Sequence, residues 1–98
     1  MRFLFKNDDL RKLYTDGAGG KDYSQEVVKA FFRVMGVIKN AADERDLRQL
    51  GSLHYEQLKG KRQHQHSLRL NRQWRLIVER QQDAEGRLLW VIDIEDYH

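Results

Sequence analysis

The sequence closes on Ile-Asp-Ile-Glu-Asp-Tyr-His, where Asp93, Glu95 and Asp96 bring carboxylates, Tyr97 a phenol and His98 an imidazole. Histidine is the side chain that most readily gives and takes protons near neutrality. Upstream lies a second cluster. Between Glu56 and Glu79 there is no acidic residue, yet Lys59, Lys61, Arg62, Arg69, Arg72 and Arg75 all fall there, with His64 and His66 adding proton-dependent charge. Together these groups have the parts for cleaving an RNA phosphodiester. A base takes the 2′-hydroxyl proton, cations stabilise the charged phosphorane, and an acid protonates the leaving 5′-oxygen. The acid-free stretch makes a local positive field that the net charge of +3 conceals, and polyanions respond to local fields.

Each group also has a plainer reading. A terminal Tyr-His pair is often a fraying end, and a basic stretch is often a solvated surface. His64 and His66, at i and i+2 on one strand face, allow a metal site, but no third ligand of the right kind lies near them in sequence. They read as surface or phosphate-contact histidines, and His54 as structural. Trp74 and Trp90 have the spacing of core strand residues rather than of base-stacking ones. Lys59 and Lys61 flank Gly60 in a tight basic turn that suits solvent or phosphate equally.

The elements that must hold these residues follow from pattern. Residues 1 to 5 suit a first strand, and Asn7 or Asp8 caps a short helix that the glycines of Gly-Ala-Gly-Gly end. Val27, Ala30, Phe31, Val34, Met35 and Ile38 have helical spacing and predict an amphipathic helix from about 22 to 39. Ser24, or Asp22 with Gln25, caps it, and Val28, Phe32 and Val37 widen its stripe enough to expect cover on more than one side. A short charged helix stops at Gly51. Then come four strands, at about 55 to 58, 65 to 70, 73 to 80 and 87 to 95, with turns at Asn71–Arg72 and near Gly86. The expected fold is α+β: an N-terminal strand, two to three helices and an antiparallel meander with the helices on one sheet face. Alternation puts Leu68 and Leu70 on one face and Arg69 on the other. Trp74, Leu76 and Val78 then share a face, which leaves Arg69 and Arg75 side by side on the opposite one, next to Ile77.

Composition sets the bounds. The 98 residues make one domain, with 40% apolar residues and no cysteine, which removes disulfides and thiolate metal sites. No stretch approaches the ~18 apolar residues of a membrane span, and the N-terminus lacks a signal-peptide core, so the expected location is the cytoplasm.

The run "LKGKRQHQHSLRLNRQWRLIV", followed by "IDIEDYH", resembles the HigB branch of the RelE/ParE toxin superfamily, the plasmid maintenance killer proteins. A Leu-Lys-Gly turn, a Ser-Leu-Arg-Leu-Asn strand with Gln-Trp-Arg after it, and a closing Asp-Tyr-His occur in the order of that branch. The resemblance implies a type II toxin that enters the ribosomal A site and cuts mRNA with no metal or cofactor. It implies catalytic roles for Arg75 (phosphate stabilisation), Lys59, Asp96, Tyr97 (orienting or stacking on the nucleotide) and His98 (proton transfer, its charge favoured by the C-terminal carboxylate). Arg69 matches an arginine of the motif that is structural or contacts RNA, and Arg72, Lys61, Arg62, His64 and His66 are the further RNA-binding candidates. The implied partners are the ribosome, mRNA and a cognate HigA-like helix-turn-helix antitoxin, with promoter DNA reached only through that antitoxin. Two other readings stay open at this point: a ParE-like toxin that blocks DNA gyrase without nuclease activity, against which the closing histidine argues, and a non-catalytic RNA- or ribosome-binding protein.

Overall fold

The computed structural model describes residues 1–97. Strand β1 (Phe3–Phe5) leads into helix α1 (Asp8–Asp16). Asn7 caps α1 by accepting from the Leu10 amide, and Gly17 ends it in the left-handed conformation at φ 69°. Helix α2 runs Gln25–Asn40, with the Ser24 hydroxyl accepting from the Val27 amide. It starts later than its apolar spacing predicts, because Asp22 closes a 3-10 turn and Tyr23 is extended. Helix α3 (Glu44–Gln49) follows, capped by Asp43. Strands β2 (Glu56–Gln57), β3 (Gln65–Arg69), β4 (Trp74–Asp83) and β5 (Gly86–Asp96) complete the chain.

The sheet order is β1-β5-β4-β3-β2. β2 to β5 form the expected antiparallel meander, while β1 lies parallel to β5, with Phe3 beside Leu89 and Phe5 beside Val91. On one face of this α+β sheet, Leu68, Leu76, Val78, Leu89 and Val91 pack with the α2 stripe of Val27, Phe31, Val34, Met35 and Ile38. Burying each such side chain contributes about 1.5–3 kcal/mol. The outer stripe of α2 is less covered than expected: Val28 and Val37 are half-buried, and Phe32 is 39% exposed, stacked on Tyr14.

A bulge decides what the other face carries. Leu76 pairs with Ile94 and Ile77 with Asp93, but Val78 pairs with Val91, so Ile92 is an extra residue on β5. Strict alternation inward from Ile94 would point Ile92 and Trp90 into the core. The bulge instead turns Val91 and Leu89 inward, and Trp90 lies outside the core cluster with the Lys6 amino group 4.0 Å over its ring. This corrects the expectation for Trp90. Trp74 does pack against the core, edge-on to Tyr23.

Candidate functional site

β3 and β4 are joined by a turn that Asn71 builds. Its Oδ1 accepts from the amides of Gln73 at 2.9 Å and Trp74 at 2.8 Å. The register that follows sets Arg69 directly opposite Arg75. They lie on the sheet face away from the helices, as alternation predicts. Like charges directly opposite destabilise a strand pair, so this arrangement needs compensation.

Part of it comes from the C-terminal segment. The Arg75 guanidinium lies 4.1 Å from the centroid of the Tyr97 ring, a cation–π contact. Its Nη1 donates to the Asn71 carbonyl at 2.8 Å. The Tyr97 amide donates to the Gln73 carbonyl, and Gln73 Nε2 donates to Asp96 Oδ2 at 3.0 Å, so the turn and the end of β5 are tied together. Arg75 Nε and Nη2 have no protein partner among the described residues. Arg69 Nη1 lies 3.4 Å from His54 Nε2, and His54 itself is held at φ 46°.

Beside this pair the face is hollowed into a cavity of about 170 Å³, lined by Leu58, Arg62, Ser67, Arg75, Ile77, Glu95, Asp96 and Tyr97. Glu95 pairs with Arg75 in strand register and grips Arg62 with two bonds of 2.8 Å. Those bonds push the Arg62 guanidinium further above its ordinary pKa. The basic stretch, acid-free in sequence, is therefore partly neutralised in space. The sequence offered Glu95 as a carboxylate but gave it no role in the site. The signal that could have found it is its place two residues from Asp93, on the strand that pairs with Arg75. A larger open groove of about 620 Å³ runs past Glu44, His64, Arg80 and Arg87, but it includes neither Arg75 nor the C-terminal residues.

The other candidates scatter. Lys59 is exposed at the start of the Gly60–Arg62 turn, next in sequence to Leu58 of the cavity wall. Lys61 and Arg72 are exposed and make no ion pair among the described residues. His64 precedes β3, with Nε2 3.5 Å from Glu79. His66 departs from the expectation of nucleic-acid contact: it pairs with Val78, is 2% exposed and stacks on Tyr55 at 4.8 Å. It alternates with Ser67, so it points to the helix side. Burial first, then the nearby Arg80 and Arg48 guanidiniums, lowers its pKa below the ordinary value. His98 lies outside the described residues.

Residues 3–97 match the family described as the RelE-like toxin of type II toxin-antitoxin system HigB. The chain belongs to the HigB-like toxins. Membership implies a cognate antitoxin as its partner. A solved YoeB/ParE toxin from Agrobacterium tumefaciens is similar in fold, with a TM-score of 0.56 over 100% of both chains at 16% sequence identity. That likeness places this HigB-like toxin on the RelE/ParE fold. A search of curated proteins returned no match. Among the described residues, no helix is long and apolar enough to cross a membrane.

Proposed function

We propose that this HigB-like toxin is an endoribonuclease that cuts mRNA in the ribosomal A site by acid–base chemistry without a metal, and so stops translation. The observation that supports this best is Arg75. It is a half-buried guanidinium set by Tyr97 and Asn71, opposite a second arginine, with Nε and Nη2 unpartnered among the described residues. A planar fork held this way matches the geometry of a phosphate, and it stabilises the charge that grows on the phosphorane.

In this reading Arg75 holds the scissile phosphate and Arg69 adds positive potential across the strand pair. Lys59 supplies a further charge beside the cavity wall. Tyr97 sets the Arg75 guanidinium and offers an exposed ring to a nucleotide. Asp96, tied to Gln73, and His98, two residues further along the chain, carry the proton transfers. Lys61, Arg72 and His64 contact the RNA backbone, and Arg62 acts through Glu95. The cognate antitoxin, a helix-turn-helix protein, silences the toxin and carries any binding to promoter DNA; the toxin works in the cytoplasm.

The test is to map 5′ ends of mRNA on programmed ribosomes for wild type, Arg75→Ala and His98→Ala, with and without a chelator. The expected result is cuts inside A-site codons that persist in chelator. Rates fall about 10²–10³-fold for Arg75→Ala, the usual cost of removing one transition-state donor. For His98→Ala they fall about 10²–10⁴-fold, the usual worth of general acid–base help. Absence of cuts from folded wild type would overturn the nuclease reading in favour of a binding-only toxin. Cuts that survive His98→Ala would move the proton transfer to Lys59 or Asp96.

A further inference from the structure

The cavity beside Arg75 holds a polar group that the proposed cleavage chemistry does not use. Ser67, on β3, is 2% exposed as a residue and lines the cavity, and its hydroxyl, which reaches that cavity, makes no side-chain hydrogen bond with the described residues. Its strand neighbour Ile77, equally buried, also lines the cavity, and Leu58 supplies a second apolar wall. The Arg62–Glu95 bridge lines the same cavity and supplies its charged part. Apolar walls with a few placed polar groups are the usual make-up of a small-ligand site. A hydroxyl that lines a cavity without a protein partner is free to donate to or accept from a ligand placed there.

We propose that Ser67 is a specificity-determining residue, its hydroxyl bonding the edge of one unpaired nucleobase seated between Leu58 and Ile77. This rests on the reading of the site as an RNA site. With a phosphate on Arg75, the attached nucleotide lies against this cavity, since Arg75 lines it. Single-stranded RNA is read in this manner, with bases splayed out, packed on side chains and hydrogen-bonded along their edges. A site that bonds one base edge discriminates against bases lacking the matching group, because its own polar atom is then left unpaired.

The experiment compares the full chain with Ser67→Ala, which removes the hydroxyl and keeps the shape. Binding is measured by fluorescence anisotropy with four 2′-O-methyl RNA tetramers, one for each base; blocking the 2′-hydroxyl prevents cleavage. Wild type is expected to rank the four bases. Ser67→Ala is expected to lose roughly 3- to 10-fold in affinity for the preferred one, the worth of one neutral hydrogen bond, while the others change little. Its melting temperature should match wild type, which excludes a folding defect. In the ribosome assay, the base composition of cut sites should broaden in Ser67→Ala. A wild type that binds all four tetramers alike would overturn the subsite, and so would the same ranking and cut-site profile in both proteins. If base ranking depends on Ser67 but no cuts are found, the nuclease reading fails and the subsite stands.

Discussion

At the scale of single residues, the site turns on what Tyr97 does for Arg75. A cation over an aromatic face gains about 0.5–1 kcal/mol when exposed and about 2 when desolvated. That is enough to hold one guanidinium orientation against the repulsion of Arg69 opposite. The contact uses the ring and not the phenol, so Tyr97→Phe should cleave within about twofold of wild type, whereas Tyr97→Ala should fall about 5- to 30-fold as Arg75 loses its seat. Single-turnover cleavage rates check this. Equal loss in both variants would mean that the hydroxyl takes part in the chemistry. The opposition of Arg69 and Arg75 was legible in the sequence, because it needs no more than alternation and a turn of normal register. The partner of Arg62 was not. Glu95 is 33 residues away, and local pattern carries no information about a contact across three strands.

At the scale of elements, the β3–β4 turn acts as the jig for the site. One side-chain oxygen, Asn71 Oδ1, satisfies two turn amides, and the carbonyl of the same residue accepts from Arg75. Asn71→Ala leaves both amides to water and should lower stability by about 1–2 kcal/mol. Cleavage should fall further than that loss explains, since about 10-fold or more follows from a misplaced cation. Urea midpoints and cleavage rates on the same preparation separate the two effects. A loss of stability with unchanged rate would show that Arg75 is set by Tyr97 alone. The turn itself was readable from Leu-Asn-Arg-Gln-Trp between apolar strands. The β5 bulge was not: Leu88 to Asp96 offers apolar residues in both phases, so the sequence admits Trp90 inward or outward. The choice is made by pairing with β4 on one side and with β1, parallel, on the other.

Over the whole molecule, the two sheet faces respond differently to solution conditions. The helix-side face holds His66 neutral against Tyr55, with its pKa below the ordinary 6.5. As pH falls through 6.5 the unfolded chain takes up a proton that the folded one refuses, so stability declines until pH drops below the folded value and then levels. Denaturation midpoints from about pH 7.5 to about pH 5 should therefore fall more for wild type than for His66→Phe, which keeps a ring on Tyr55 but cannot titrate. Parallel curves would mean that His66 titrates alike in both states. On the opposite face, the proposed RNA contacts should respond to salt. Lys59, Lys61 and Arg72 stand free of ion pairs among the described residues, in loops that precede and follow β3, and Arg69 and Arg75 lie on the strands between. Each phosphate neutralised on a single strand contributes about −0.7 to the slope of log affinity against log salt, so three to five contacts give about −2 to −3.5. Replacing both lysines with glutamine should reduce the steepness by about 1.4 and weaken all RNA sequences alike, because phosphate contacts carry no sequence information. Anisotropy between about 50 and 200 mM salt measures it. A flat response would mean that these cations face solvent alone, and that the net +3 describes the surface better than its local field does.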